Sequence, residues 1–382
     1  MKKRELLTIT RLIELCEEEI EDPRREGYNQ QHKLVDILVI VLLAAISGCD
    51  DWLGVEDYGI AKEKWLRTFL ELPNGMPSDD TYRRVFERID PKQLERVYRE
   101  WVMPYIGGCC GKQIAIDGKT ICAASNAQEN RHKSKIHIVS AWVREDGISL
   151  GQVRISEKSN EIRAIPELLD SLDIYGSTVT IDAMGCQTAI AEKIIAGKAN
   201  YVLAVKNNQP TLYEEIKEYF DWAKTDSIER KSIDTYTSCS SEHDRIVRRS
   251  IAVTNEVQWY ESKKDWKNLT SFICVTRHTE RDGTVSEETQ YYISSAGWSA
   301  LRFAELIQGH WSIENSLHWS LDVVFHEDSS QIRKDHSPEN LSIVRKIAKA
   351  MLQHEPSKLS IPRKMRRAAM IDEFAASVIG LK

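Results

Sequence analysis

Two aspartates and one glutamate are the residues of this chain whose type and setting best fit metal chemistry. Asp117 and Asp182 each follow a short apolar run rich in β-branched residues, at positions 113–116 and 178–181. Such runs predict strands, and ligands gather at the carboxyl ends of strands in open α/β sheets. A carboxylate is costly to bury unless it is paired or bound to a cation, and Mg²⁺ prefers carboxylate, water and phosphate oxygens. Either aspartate alone would equally fit a simple turn cap.

The third acid, Glu314, lies in a segment with helical periodicity from residue 310 to residue 322. Four-residue steps predict that one helix face carries a polar stripe of His310, Glu314, His318, Asp322 and His326. Glu314 is a better third ligand than Glu327 or Asp328, which follow the segment in what reads as a solvated turn. A zinc site built from Glu314, His318 and Asp322 is a rival interpretation, although successive steps along one helix seldom close a tetrahedron.

The elements that must position these acids alternate in a recognisable order. Strands are predicted at 113–116, 136–143, 148–155, 178–181 and 201–205, and helices at 161–172 and 188–196. Three antiparallel strands followed by a strand-helix-strand unit indicate an α/β catalytic core of ribonuclease-H-like fold at 106–382. Residues 211–297 are polar, with strand-like pieces at 248–253, 271–275 and 290–293, and are interpreted as a strand-rich insertion.

Residues 1–105 are predicted to form an all-helical domain. Asp90 and Pro91 supply an N-cap and a first-turn proline for one helix. Another helix is predicted to start near Ser78 and to carry three arginines, Arg83, Arg84 and Arg88. This helix is a candidate for reading DNA, while a solvated surface helix explains the same arginines equally well.

Composition is that of an ordinary globular protein, with 382 residues, 42% hydrophobic, 29% charged and a net charge of −6. The acidic average argues against binding nucleic acid over the whole surface, but residues 345–367 are strongly basic. Within this C-terminal tail the candidates for DNA phosphate contacts are Arg363, Lys364, Arg366 and Arg367.

The longest apolar run, 37–46, falls short of the roughly 20 residues that span a bilayer. It predicts a buried helix, and we expect a cytoplasmic protein without a membrane segment.

Ordered motifs along nearly the whole chain resemble the H-repeat-associated transposases of bacterial insertion sequences, a branch of the DDE transposase group. The matching stretches are HKLVDIL at 32–38, IAIDGKT at 114–120, EKSNEI at 157–162, AIPELL at 164–169, DAMGCQ at 182–187, YVLAVK at 201–206, YYISS at 291–295, and several pieces of 310–323. In similar transposases a strand-rich domain lies between the second and third acids, which here are 132 residues apart.

The resemblance implies a function for each part of the chain. Asp117, Asp182 and Glu314 would be the catalytic triad and the ligands of Mg²⁺, for which Mn²⁺ can substitute. Lys119 and Lys206 are candidates for positioning DNA phosphates near them. The partner would be double-stranded DNA, namely the terminal inverted repeats of the element and its target, with a homodimer on DNA as one candidate assembly. The N-terminal helices would bind the element ends. The alternative is a catalytically inactive DNA-binding derivative of a transposase.

Overall fold

A single central sheet contains strands from both the first and the second half of the chain. The computed structural model describes residues 7–25, 27, 30–121, 136–155, 160–226, 232–242, 245–281 and 284–381. Within these residues nine strands form one sheet, in the spatial order 148–155, 136–143, 113–121, 178–181, 200–205, 284–294, 271–281, 245–254 and 234–242. Residues 157–159 of the motif at 157–162 lie outside the described residues.

The first five strands are those that the sequence predicts. They are β1 (Gln113–Ile121), β2 (Ile136–Val143), β3 (Ile148–Ile155), β4 (Thr178–Ile181) and β5 (Asn200–Val205). β1, β2 and β3 are antiparallel neighbours, whereas β4 and β5 run parallel to β1. Helices α6 (Glu161–Asp170) and α7 (Thr188–Ala196) lie between β3, β4 and β5 in the chain, as predicted.

One predicted boundary is wrong, and it bears on the site. β1 continues to Ile121 instead of ending before Asp117, because β2 pairs with it along its whole length and places Ser140 opposite Asp117. The parallel ladder with β4 stops earlier, at the pair Ile116 and Ile181. Asp117 therefore lies inside an antiparallel ladder but at the end of a parallel one.

The predicted strand pieces between 211 and 297 belong to four long strands that enlarge the same sheet. After α8 (Pro210–Thr225) come β6 (Asp234–Glu242), β7 (Arg245–Thr254), β8 (Ser271–Arg281) and β9 (Thr284–Ser294). β9 pairs antiparallel with β5, from Val202 opposite Ser294 to Val205 opposite Tyr291. This stretch is therefore continuous with the central sheet and does not form a separate one.

The helices at the two ends of the chain share one apolar core with the sheet. The N-terminal helices are α1 (Ile9–Glu19), α2 (Leu34–Ile46), α3 (Trp52–Leu66), α4 (Asp79–Phe86) and α5 (Pro91–Ile106). α9 (Ala300–His310), α10 (Ser337–His354), α11 (Ile361–Met370) and α12 (Asp372–Val378) follow the sheet. α2, predicted to be buried, packs against α10, and the core extends from Leu7 to Ile379.

Asp90 and Pro91 start α5 as predicted, with the Asp90 carboxylate accepting the Lys92 N–H. Among the described helices, none combines the length and the apolar composition that a membrane span requires.

The segment after α9 is helical, as predicted, but most of it is wound as a π-helix. Two π-helical stretches, Ile313–His318 and Ser320–Val324, precede a short 3₁₀ turn at Glu327–Ser329. The backbone N–H of Trp319 reaches the carbonyl of Glu314, five residues back. π-Helical turns are rare and are frequent at functional sites. We call residues 313–329 the acidic segment.

Candidate active site

The two predicted aspartates are brought side by side by the strand register. Ile116 of β1 pairs with Ile181 of β4, so Asp117 and Asp182 are the next residues on two neighbouring parallel strands. Asp182 also caps the short 3₁₀ turn that follows it, where one carboxylate oxygen accepts the Met184 N–H at 3.1 Å. The turn-cap interpretation therefore holds for one oxygen of Asp182, and this bond fixes the orientation of the carboxylate.

Glu314 joins these aspartates from the acidic segment. All three carboxylates line one cavity of about 210 Å³, whose wall also includes Thr180, Lys206, Tyr292, Ile307, His310 and Trp311. The buried side chains Ile313, Leu317 and Leu321 hold the segment against Ala115 of β1 and Trp142 of β2. Residues that are 65 and 132 positions apart in the sequence thus meet in one place.

The electrostatics of the cavity oppose ionisation of Asp117 and Glu314. Burial, together with the charges of Glu314 and Asp182, raises the pKa of Asp117 to about 7. Burial and Asp182 also raise the pKa of Glu314. Neither Asp117 nor Glu314 forms an ion pair with a lysine or arginine among the described residues. The acids therefore repel one another, and no described lysine or arginine is paired with them as a counter-charge.

The buried His318 and the half-buried His310 adjoin the acids, but they do not supply that counter-charge. Burial lowers the pKa of His310 to about 4, and its Nδ1 lies 3.0 Å from the Thr180 hydroxyl. Burial and the nearby Lys346 and Lys119 lower the pKa of His318 to about 3. His318 Nδ1 lies 3.4 Å from Asp117 Oδ2, so a neutral imidazole faces that carboxylate near pH 7.

The donor chemistry of the cavity fits a divalent cation, although its ligands are not preassembled. Among the described residues, no group of three or more His, Cys, Asp or Glu side chains is arranged as a ready metal site. Asp117 and Asp182 are half-buried and Glu314 is exposed. Neighbouring carboxylates that repel one another are the oxygen donors that Mg²⁺ binds. The zinc interpretation is weaker, because Asp322, one of its three ligands, forms an ion pair with Lys119.

The two lysines predicted to lie near the acids have different environments. Lys206 is exposed, lines the cavity and has no ion pair within the described chain. Lys119 is only 10% exposed and forms ion pairs with Asp322, with Glu327 at 2.8 Å and with Asp328 at 3.1 Å. Its ammonium group is thus engaged within the protein.

Glu327 was predicted to lie in a solvated turn, and that prediction is wrong. Its side chain is 1% exposed and lies between Lys119 and Arg345. The four-residue spacing of acids and histidines pointed to the segment as a whole. No local sequence signal distinguished Glu327 from an exposed residue, because both of its partners are distant in the chain.

The predicted arginines of α4 are partly committed to local ion pairs. Arg83 pairs with Asp80 at 2.6 Å and with Glu87 at 2.8 Å, and Arg84 pairs with Asp80 at 2.9 Å. α4 ends at Phe86, so Arg88 lies beyond the helix on which it was predicted. Arg88 is exposed.

The basic C-terminal tail is only partly a surface feature. Arg363, Arg366 and Arg367 of α11 are exposed, and Arg367 lies over the ring of Phe374. Lys364 is 3% exposed and donates to the carbonyl oxygens of Leu352 and Glu355, so the structure assigns it a structural role. Arg345, Lys346 and Lys349 of α10 are also buried. The long aliphatic stems of such side chains allow their charged ends to reach buried acceptors.

Comparison with known proteins agrees with this architecture. The family described as "Transposase DDE domain" matches residues 108–348, and "DDE_Tnp_1-associated" matches residues 16–102. The chain therefore belongs to the DDE transposase family.

Its relatives include the H repeat-associated branch. The chain is 39% identical over 338 residues to "Putative transposase YncI" of Escherichia coli O157:H7, covering 87% of this chain and 85% of the relative. It is 36% identical over 331 residues to "H repeat-associated putative transposase YhhI" of Escherichia coli K12, covering 85% and 86%. A piggyBac transposase in a synaptic complex with hairpin DNA aligns at a TM-score of 0.40 and 12% identity, covering 99% of this chain and 82% of that one. That score is too low to support a conclusion.

Proposed function

We propose that this transposase-family protein cuts DNA strands and joins them to a new site, with Asp117, Asp182 and Glu314 as ligands of Mg²⁺ or Mn²⁺. The observation that carries the proposal is the shared cavity in which burial and the other two acids raise the pKa of Asp117 to about 7. When bound, the metal ions neutralise charge on the reacting phosphate and make water or a 3′-hydroxyl a better nucleophile.

The residues around the triad would hold these ligands in place. Asp117 is fixed by the β1–β2 ladder, and Asp182 by its bond to the Met184 N–H. The apolar side chains of Ile181 and Ile307 line the same cavity and limit access of water. His310 is held by Thr180 behind the acids and, being neutral, leaves their charge available for a cation.

The substrate we propose is double-stranded DNA, at the element's terminal repeats and at the target. A second, open cavity of about 480 Å³ shares Asp182, Ala183, Ala204, Lys206 and Gln290 with the first. Lys206 lies where the two cavities meet and is free to neutralise a phosphate. The exposed Arg88, Arg363, Arg366 and Arg367 are proposed to contact the DNA backbone further away, with a homodimer on DNA as the assembly.

The fold supports a further part of the proposal. Strand order β3-β2-β1-β4-β5, with β1 parallel to β4 and antiparallel to β2, is the arrangement expected for a ribonuclease-H-like core. We propose that residues 106–382 form this catalytic unit, with β6–β9 as its insertion. Residues 1–105 are proposed to recognise the element ends.

Incubation of the purified protein with duplexes from the DNA that flanks its gene tests this function, with Mg²⁺ or Mn²⁺ in separate reactions. We expect metal-dependent strand cleavage. Glu314→Gln removes the charge but keeps the size, so DNA binding should persist while cleavage falls at least about a hundredfold. Glu305→Gln, an exposed change on α9, is the matched control and should cleave normally.

The same assay separates the alternatives. Binding without cleavage under either metal would favour a catalytically inactive DNA-binding derivative. Stoichiometric zinc in the purified protein, with activity lost to a zinc-selective chelator, would favour the zinc site instead.

A further inference from the structure

We propose that Lys119 is a positioning residue for the triad: its ammonium group ties the strand that carries Asp117 to the acidic segment that carries Glu314. This inference rests on the proposed metal-dependent function. It replaces the expectation that Lys119 contacts DNA phosphate.

Lys119 occupies the position on β1 from which it can act on Asp117. Residues two apart on a strand point to the same face of the sheet, so Lys119 and Asp117 share a face. The Lys119 ammonium contacts Asp322 in the second π-helical stretch and Glu327 and Asp328 in the following turn. One side chain therefore holds the far end of the segment against β1.

α10 supports this link from the opposite side. The guanidinium of Arg345 lies 3.7 Å from the second oxygen of Glu327, so that buried carboxylate lies between two cations from different elements. The neighbouring Lys346 donates to the Ser140 hydroxyl at 2.9 Å, and Ser140 is the cross-strand partner of Asp117. Thus α10 is joined to the acidic segment by an ion pair and to β2, the strand beside Asp117, by a hydrogen bond.

The charges explain why an ionic link is needed at this place. Asp117, Asp182 and Glu314 repel one another, and that repulsion pushes the acidic segment away from β1. An opposing ion pair is strong when it is shielded from water, because the local dielectric constant is low. Without Lys119, Asp322, Glu327 and Asp328 would add to the repulsion. Buried ion pairs often contribute more to a specific geometry than to stability.

The burial of Lys119 argues against a direct role in DNA binding. A phosphate would have to compete with three carboxylates for an ammonium group that is 10% exposed. Lys206, in contrast, is exposed on the cavity wall and has no ion pair within the described chain.

The test compares Lys119→Met with Lys112→Met. Lys112 immediately precedes β1 and forms a partly buried ion pair with Asp146 at 2.7 Å. Lys112→Met therefore also removes a lysine from a partly buried ion pair, but at the opposite end of the strand. We would measure Mn²⁺ binding to the DNA-free protein by titration calorimetry, the Mn²⁺ concentration for half-maximal cleavage, the melting temperature and the DNA affinity. Lys119→Met should weaken Mn²⁺ binding and raise the Mn²⁺ requirement about tenfold or more. Lys112→Met should lower the melting temperature alone, and Lys119→Arg should restore most of the metal affinity.

Several outcomes would overturn the inference. One is a folded Lys119→Met variant that binds Mn²⁺ with wild-type affinity. Another is a variant with unchanged metal affinity whose DNA binding is weaker and less dependent on salt, which would show that Lys119 contacts a DNA phosphate. If Lys119→Met does not fold, Asp328→Asn at the 40%-exposed end of the cluster takes its place, and it should weaken Mn²⁺ binding severalfold. A wild-type protein that binds Mn²⁺ without cleaving DNA rejects the proposed function, while the calorimetric comparison still decides the positioning role.

Discussion

Two glutamates of one short segment show how environment separates a candidate metal ligand from a structural acid. Burial acts to raise the pKa of Glu327, but Lys119 and Arg345 outweigh it and hold that pKa below its ordinary value. Glu314 has no such partner among the described residues, and burial together with Asp182 raises its pKa. A destabilised acid beside other acids is a candidate ligand, whereas a paired one supports the structure.

At the level of single residues, Asp117→Asn should stabilise the metal-free protein in a pH-dependent way. Between pH 4 and 7 the folded chain holds a proton on Asp117 that the unfolded chain releases, because the pKa rises from about 3.9 to about 7. Stability of the wild type therefore falls as pH rises through this window. The melting temperature of Asp117→Asn should exceed that of the wild type most at pH 8, by about 1 °C per kcal/mol of repulsion removed in a cooperative unit of this size.

Addition of Mg²⁺ completes that experiment. It should raise the melting temperature of the wild type at pH 8 and have a smaller effect on Asp117→Asn. Asp170→Asn, an exposed change on α6, is the control and should follow the wild type at each pH. If the melting temperatures of Asp117→Asn and the wild type depend on pH in the same way, the pKa of Asp117 is not raised and its repulsion by the other acids does not destabilise the fold.

At the scale of elements, basic residues on one helix serve two different purposes. On α11, Arg363 and Arg366 are exposed, while Lys364 is directed inward and bonds Leu352 and Glu355. The aliphatic stem of lysine allows an inward charge near the end of a helix, provided that acceptors meet it. Charge density along the sequence therefore overstates the surface that can meet DNA.

This difference leads to a prediction for α11. Joint replacement of Arg363 and Arg366 by Ala should weaken binding to specific and random duplexes alike, and should lower the salt slope by about 0.9 for each phosphate that is no longer neutralised. Lys364→Met should leave the slope unchanged and destabilise the fold by roughly 3–5 kcal/mol, because Glu355 stays buried without its cation. Salt titrations of binding, with thermal melts of each variant, check both. Wild-type binding by the arginine variant at every salt concentration would remove α11 from the DNA-binding surface.

At the scale of the whole molecule, the N-terminal helices are joined to the C-terminal ones. The fully buried Asn340 of α10 donates to the carbonyl oxygens of Phe86 and Ile89, each at 3.0 Å. The N–H of Ile9 donates to the carbonyl oxygen of Ile379 at 2.8 Å. If the N-terminal helices recognise element ends, as proposed, a change in their position would reach α10 and the C-terminal helices directly.

Asn340→Ala should destabilise the entire chain, because it leaves two buried carbonyl groups unpaired at roughly 1–3 kcal/mol each. Scanning calorimetry should show one transition at a lower temperature for this variant, since both ends of the chain share a core. Asn207→Ala, an exposed change, is the control. A variant that loses only a first, separate transition would show that residues 1–105 unfold on their own.

A fragment of residues 1–105 offers an independent measurement of the same coupling. α2 packs against α10, so the fragment would expose the apolar face that α10 covers in the full chain. We expect reduced helicity by circular dichroism and weak DNA binding compared with the full chain. A stable, fully helical fragment that binds element ends with full affinity would contradict this expectation.

The sequence by itself was enough to predict the first five strands and to single out three acids as candidate ligands. Strand and helix periodicity are local properties, so β2, β3 and β4 and the start of α5 could be predicted from neighbouring residues alone. The same holds for acids next to β-branched runs, which is why Asp117 and Asp182 could be picked out before their register was known. Membership of the transposase family also followed from ordered motifs.

Only the tertiary structure decided which charged residues face inward and which elements meet. Lys119 and Glu327 are 208 residues apart, and nothing local to either predicts their ion pair. The continuation of β1 past Asp117 depended on the length of β2, and the joining of β9 to β5 on a pairing between strands more than 80 residues apart. A side chain is buried or exposed according to what packs against it, and for these residues the packing partners come from distant parts of the chain.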